Sequence, residues 1–388
     1  MRMNVLVAPD SFKGSMSSAE ACDAICEGIS KFNPAIQTQS MPIADGGEGT
    51  VEALVKILHG DWIEEQVEDP LGRKVTAAYG WVPETKTAII ETAQASGLPR
   101  LKREELDPLR ASTFGTGELI KSALDLGAKR IILGLGGSAT VDAGAGCFQA
   151  LGVNFYDAEG KELKMTGGNL SKVSQIESDY SYSMTSDVEW LIASDVSNPL
   201  LGQEGAVEVF GPQKGVTKSR VERFEEGMSH YASVLEGHTG RLVRDKEGSG
   251  AAGGFGFTLF SLLDNLKVES GFELIARLGE LEKHIQKADL VITGEGKLDR
   301  QSLYGKGPVG LARLAKKHRV PCIAFTGMYD GEISGAKEEG LLAILPIVDR
   351  PMELDEAVGK GPELIRRATE RFLDVYFLNR TIGVEIHE

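Results

Sequence analysis

Histidine, cysteine and long apolar runs are what this sequence is short of. Its 388 residues include 6 histidines and 4 cysteines, and aromatic residues make up 6%. The histidines do not cluster and none adjoins the glycine-rich loops below, which argues against a histidine-driven acid/base mechanism. Cys22, Cys26, Cys147 and Cys322 show neither CxxC spacing nor a His/Cys zinc pattern, so they read as small buried hydrophobes in a reducing environment. The longest apolar stretch, near Leu341 to Val348, is far too short to span a bilayer, and no basic, apolar leader opens the sequence. A cytoplasmic location is the expectation. GxxxxGK[ST], H-E-x-x-H, GxSxG and the HRD/DFG set are all missing, which disfavours a P-loop enzyme, a zincin, an α/β-hydrolase and a protein kinase.

Positive charge is scarce too. A formal charge of -15 and a pI of about 5.0 oppose long-range attraction to nucleic acid or to an anionic membrane, so the partners expected are small molecules. If the ligand is itself an anion, local positive potential must be built against the global field, and each lysine beside a glycine loop becomes a candidate. Glycine is abundant: 47 residues, above the usual share of about 7%, concentrated in loops and not in repeats. The length exceeds what one core usually holds, so two domains are expected.

Residues 4–60 read as β-α-β-α. Val5 to Ala8 is a strand, and Ser17-Ser18-Ala19-Glu20 is a capping box opening a helix that stops before Asn33-Pro34, with Ala24, Ile25, Gly28, Ile29 and Phe32 on its inner face. The chain's far end repeats the grammar with strands at Leu290 to Thr293, Cys322 to Thr326 and Leu342 to Ile347. Helices are predicted over Pro308 to Lys317, between the last two strands, and from about Glu353 onward. Residues 61–93 look instead like an antiparallel meander, turning at Asp69-Pro70-Leu71-Gly72 and Pro83-Glu84-Thr85. The architecture expected is α/β with two domains. Residues 1–65 plus 286–388 would form a doubly wound parallel-sheet domain and residues 66–285 an inserted mixed α/β domain, with the active site in the cleft between them.

Chemistry is predicted where strands run into small, polar loops. Asp10, Ser11 and Lys13 follow the first strand; Asp45-Gly46-Gly47-Glu48-Gly49-Thr50 precedes an amphipathic helix carrying Val51, Leu54, Val55 and Leu58. Glycines let backbone approach a phosphate and a helix N-terminus adds partial positive charge, although a capping turn explains the same residues. Thr113 to Glu118 opens another helix with free amides or a simple cap. Gln94 and Ser96 follow the apolar strand Ala88 to Ile90 and its acidic end, Glu91, where they could line the same cleft from the inserted domain. Asp195 and Asn198 sit on a turn suited to Mg²⁺ or a hydroxyl, or forming an Asx turn before Pro199. Lys214 occupies a rigid glycine-proline setting as a candidate clamp for phosphate or carboxylate. Gly250 to Gly256 suggests close backbone approach, more to another segment than to a ligand. Glu295, Lys297 and Asp299 follow a strand, with Ser302, Gly305 and Lys306 ahead of the next helix, too many charges for capping alone.

Gly134-Leu135-Gly136-Gly137-Ser138-Ala139 satisfies G-x-G-x-x-A after a strand, and Asp157 lies where a ribose-binding acid would. Its mid-chain position, and Asp142 in the predicted first turn of the next helix, weigh against a dinucleotide. The inventory of carboxylates, lysines and backbone amides suits phosphoryl transfer, which needs positioning and charge neutralisation more than a tuned imidazole.

Seven segments, in order, resemble the type 1 glycerate kinases, bacterial enzymes that phosphorylate D-glycerate. They are Ala8 to Gly14, Ala44 to Thr50, Glu91 to Leu98, Gly134 to Thr140, Ser194-Asp195-Val196, Phe210 to Gly215 and Gly294 to Asp299. The resemblance spans nearly the whole sequence and implies ATP as phosphoryl donor, Mg²⁺, and a flavodoxin-like domain with an inserted second α/β domain. It favours 2-phosphoglycerate as product, with a 3-kinase as the alternative. On this reading Asp45, Lys13 and Asp195 are the catalytic candidates, with Asp45 or Asp195 as base, and Asp195 or Asp299 holds the metal. Asp10, Ser11, Lys214, Gln94 and Ser96 meet the substrate; Gly46, Gly47, Gly49, Thr50, Gly136, Gly137, Ser138, Glu295 and Lys297 meet ATP. The partners are D-glycerate and ATP, with no nucleic acid, no membrane, and a homodimer as the assembly to test. An NAD(P)-linked oxidoreductase using Gly134 to Asp157 and a non-catalytic small-anion binder remain the rival classes.

Overall fold

The computed structural model describes residues 3–44, 49–298, 307–329 and 335–378. Numbered along the chain, the strands are β1 Asn4–Val7, β2 Gln37–Ser40, β3 Asp61–Glu68, β4 Lys74–Val82, β5 Thr87–Glu91, β6 Arg130–Gly134 and β7 Asn154–Tyr156. They continue with β8 Gln175–Glu177, β9 Glu189–Ala193, β10 Leu266–Glu269, β11 Leu290–Leu298, β12 Cys322–Tyr329 and β13 Leu341–Pro346. The chain forms two compact units, Met1–Asp45 with Phe272–Glu388, and Gly46–Gly271.

The first unit is built on a five-stranded sheet, every neighbouring pair parallel, in the order β13-β12-β11-β1-β2. Read from its other edge and counted within the unit, that order is 2-1-3-4-5, the flavodoxin-like winding, whose switch point lies between β1 and β11. Val5, Leu6 and Val7 of β1 and Leu290 to Ile292 of β11 are buried without alternation, as strands covered on both faces must be. The helix Ser18–Phe32 starts at the predicted capping box: the Glu20 amide donates to Ser17 Oγ at 3.2 Å and the Ser17 amide to Glu20 Oε2 at 2.8 Å. A Cβ added at Gly28 would lie 2.8 Å from the Arg366 carbonyl oxygen, so this glycine lets the helix lie directly on the closing helix Gly361–Tyr376.

The second unit carries a six-stranded mixed sheet, β10-β9-β6-β5-β4-β3. Strands β3, β4 and β5 form the antiparallel meander, and β5 also starts the parallel set with β6, β9 and β10. Trp190, Tyr79, Phe148, Phe155, Tyr231 and Phe255 fill its core, each under 2% exposed. Strands β7 and β8 pair only with each other.

Several boundaries differ from expectation. The units divide at 45/46 and 271/272 and not at 65/66 and 285/286, because the helix Thr50–Leu58 packs on the meander: a Cβ at Gly80 would sit 2.2 Å from Val55 Cγ2. The segment Gly294 to Leu298 is no loop but the continuation of β11, paired with β12 as far as Leu298 and Tyr329. The closing helix is two, Leu354–Gly359 and Gly361–Tyr376. Residues 335–340, where a helix was expected, form turns. No helix among the described residues is long and apolar enough to cross a membrane.

Candidate functional site

Two groups of loops carry the predicted residues, one in each unit. In the first unit the amide of Asp10 donates to the Gly294 carbonyl at 2.8 Å, which carries the chain from β1 onto β11. Asp10 is 7% exposed and its Oδ1 accepts from the Ser11 amide at 2.6 Å. The loop then doubles back through a Phe12–Met16 bridge, with Gly14 at φ 80°. A Cβ at Gly296 would stand 3.2 Å from Phe12 Cα and 3.3 Å from the Lys13 amide nitrogen, so the glycine here leaves this loop close against β11 without crowding. The outcome is a cavity of about 400 Å³ lined by Asp10, Ser11, Lys13, Glu295 and Lys297 together. It opens at the carboxyl ends of β1 and β11, the switch point where ligands of doubly wound sheets bind. Glu295 and Lys297, two apart on a strand, point to one face.

In the second unit the short helix Thr92–Ser96 that follows β5, with the turn after it, is stitched to the loop after β6. The Leu98 amide donates to the Gly137 carbonyl at 2.8 Å and the Ala139 amide to the Ser96 carbonyl at 2.9 Å, around a Gly97–Ser138 bridge. Ser96 is fully buried, and its hydroxyl is 2.8 Å from Thr116 Oγ1. Gln94 is half-buried, and its carbonyl accepts from Arg100 Nε at 2.7 Å. Gly136 is half-buried, and Gly137 is exposed at φ 71°.

Lys214 reaches the same loop from beneath. Its Nζ donates to Ser138 Oγ and to the Thr140 carbonyl, both at 2.8 Å, and the residue is 2% exposed. Burial draws its pKa down to about 7, against the opposing pull of Asp142. Asp142, itself fully buried, precedes the helix Ala145–Ala150 and does not lie within its first turn. Its Oδ2 accepts from the Thr113 amide at 2.7 Å and Thr113 Oγ1 at 2.8 Å, and from the Gly146 amide at 3.3 Å. Burial raises its pKa despite these donors. Gly253, at φ 72°, crosses so close that a Cβ would be 2.2 Å from the Thr140 carbonyl oxygen. The small-residue run from Gly250 therefore serves backbone packing.

Other predicted residues are placed differently. Gly49 caps the helix Thr50–Leu58 at φ 92°, Thr50 is buried, and the Val51 amide donates to Glu91 Oε1 at 2.9 Å. The anion at that helix start is thus a protein carboxylate. The amides of Thr113 and Phe114 are not free either, the latter donating to Ser112 Oγ at 3.2 Å, and Gly115 and Gly117 are tight packing points against Glu68 and Cys147. Asp195 is exposed on the turn after β9, while Asn198 Nδ2 turns inward to the Glu204 carbonyl at 2.7 Å. Asp45, Gly46, Gly47 and Asp299 lie outside the described residues, as do Glu48, Ser302, Gly305 and Lys306. The dinucleotide reading fails on topology: no helix directly follows the Gly134 to Ala139 loop, and β7, which leads to Asp157, pairs with β8 and not beside β6. Among the described residues no group of three or more His, Cys, Asp or Glu is assembled as a metal cage.

Residues 5–376 match the model of the family described as the glycerate kinase family. The chain belongs to the glycerate kinase family. It is 41% identical to a glycerate kinase of Halalkalibacterium halodurans, over 97% of this chain and 99% of that one. It is equally 41% identical to the glycerate 2-kinase of Escherichia coli, over 95% and 96%. A solved structure from Salmonella typhimurium LT2, provisionally named glycerate kinase 2, matches with a TM-score of 0.86 at 37% identity, over 98% of this chain and all of that one. Glycerate kinase family membership makes the protein an enzyme. The residues that sequence reasoning underrated are Asp142, Glu91 and Thr113, whose buried polar partners come from loops 29 to 40 positions away.

Proposed function

We propose that the protein transfers the γ-phosphoryl group of ATP to the 2-hydroxyl of D-glycerate, releasing ADP and 2-phosphoglycerate. The observation that carries this reading is the gathering of Asp10, Ser11, Lys13, Glu295 and Lys297 around one cavity at the switch point of a glycerate kinase family chain. The Escherichia coli relative named as a glycerate 2-kinase favours the 2-position.

Lys13, exposed at the cavity, neutralises charge on the transferring phosphoryl group or holds the substrate carboxylate. The Ser138 hydroxyl accepts from Lys214 Nζ, which leaves its own proton for donation to an anionic oxygen. Lys214 acts through Ser138 and the loop, since its ammonium is enclosed. Asp45 or Asp195 takes the hydroxyl proton. Mg²⁺ suits a carboxylate donor, Asp195 or Asp299, since this ion is held through one or two carboxylates and completed by water and phosphate oxygens. When bound it would neutralise the nucleotide's phosphates.

A coupled ADP-release assay tests the reading. D-glycerate should trigger ADP release; a nicotinamide absorbance change with a hydroxy acid, or thermal stabilisation without turnover, would replace it by one of the rival classes.

A further inference from the structure

The cavity of the first unit changes character across the sheet. It runs over the ends of four adjacent strands, β13, β12, β11 and β1, a distance of about 14 Å at the usual strand spacing of ~4.8 Å. At the β1 and β11 end stand Lys13, Lys297 and the carboxylates already described. At the other end, apart from Ser15, the described side chains are apolar: Met328 on β12, Ile347 and Val348 after β13, and Leu354, Ala357 and Val358 on the helix Leu354–Gly359. Ile347 is 3% exposed and forms the floor, whereas Met328 at 58% and Leu354 at 76% stand out at the rim as large apolar side chains in water. The two ends are tied together, because Ser15 Oγ donates to the Val358 carbonyl at 2.7 Å, and a Cβ at Gly361 would lie 2.1 Å from Ser15 Oγ.

A polar anion such as glycerate has no use for six apolar neighbours, and a triphosphate has none either. A planar, weakly solvated heterocycle does, and the volume of about 400 Å³ falls in the range of small-molecule sites. We propose that the adenine base of the nucleotide docks between Ile347, Met328 and Val358, with the phosphates running along the sheet toward Lys297 and Lys13. This rests on the ATP reading above and fixes what that reading leaves open, the direction in which the nucleotide lies and the unit that holds its base. The apolar walls supply burial and dispersion for the ring faces; the lysines supply charge for the other end.

The test uses the full-length enzyme and 8-azido-ATP, with ultraviolet crosslinking followed by peptide mapping, alongside steady-state kinetics of Val358→Trp and Met328→Asp. The label should fall on peptides carrying Met328 or residues 347–358 and be displaced by ATP. Both variants should raise KM for ATP about tenfold or more while KM for D-glycerate stays within about twofold and the melting temperature holds. A label confined to peptides of the Gly46–Gly271 unit, or two folded variants with the wild-type KM for ATP, overturns the proposal. Failure of the underlying reading looks different: labelling at residues 347–358 without D-glycerate-dependent ADP release would uphold the base site and remove the acceptor.

Discussion

Replacing Lys214 by Met removes a buried ammonium while keeping most of its volume. In the native protein that ammonium donates to Ser138 Oγ and the Thr140 carbonyl, both at 2.8 Å. Hydrogen bonds from a charged donor are worth roughly 1.5–3 kcal/mol, so if Ser138 is held ready for an anion by this contact, kcat/KM assayed at about pH 6, where the group is still protonated, should fall about 10- to 150-fold. Stability gives a second, independent readout. Burial lowers the Lys214 pKa from 10.5 to about 7, so between those values the unfolded chain holds a proton that the folded chain has lost. The stability contributed by this group is complete above 10.5 and is lost as pH falls through about 7. At ~1.4 kcal/mol per unit, the wild type should gain about 2–3 kcal/mol between pH 7 and pH 9 that Lys214→Met does not gain. Urea denaturation at both pH values, with ADP-release kinetics, measures both quantities. Parallel stability curves for the two proteins, together with kcat/KM within about twofold, would refute the role given to the ammonium.

Gly253→Ala should destabilise by about 2 kcal/mol or more and depress activity, since its Cβ would meet the Thr140 carbonyl oxygen at 2.2 Å in a left-handed conformation; a melting curve matching wild type would contradict the close packing. Lys13→Ala should raise KM for D-glycerate or ATP without a change in melting temperature, because the side chain is exposed at the cavity. Unchanged kcat and KM for both substrates would leave Lys13 a solvated residue. Asp45→Asn should cut kcat by about a hundredfold if this carboxylate is the base, and retained turnover would move that role to Asp195.

Much of this site could be read from sequence because its chemistry sits at strand ends, where glycine, acid and lysine stand out against apolar strands. The capping box at Ser17, the strand at β1 and the loops at Asp10 and Gly136 follow from local rules alone. Long-range partners did not. The Gly-Pro-Gln-Lys-Gly segment around Lys214 reads as a rigid setting for an anion clamp, and only the fold reveals that its side chain is enclosed beneath the loop carrying Ser138. Asp142 reads locally as a helix residue, while its donor Thr113 lies 29 positions earlier, outside any local window. The helix beginning at Thr50 resembled an open anion site because the carboxylate that meets its Val51 amide, Glu91, lies 40 positions later. Glycine, glutamate and lysine in Gly294 to Leu298 have low strand propensity, yet pairing with β12 draws them into β11. Tertiary pairing decided each of these, and no window of neighbouring residues contains it.

Phosphorus NMR of a mixture of the enzyme, D-glycerate, ATP and Mg²⁺ bears most directly on the function. The account predicts a phosphomonoester at the 2-hydroxyl of glycerate, formed in step with ADP. ADP and inorganic phosphate as the only new phosphorus species, or ATP left intact beside unreacted glycerate, would contradict it.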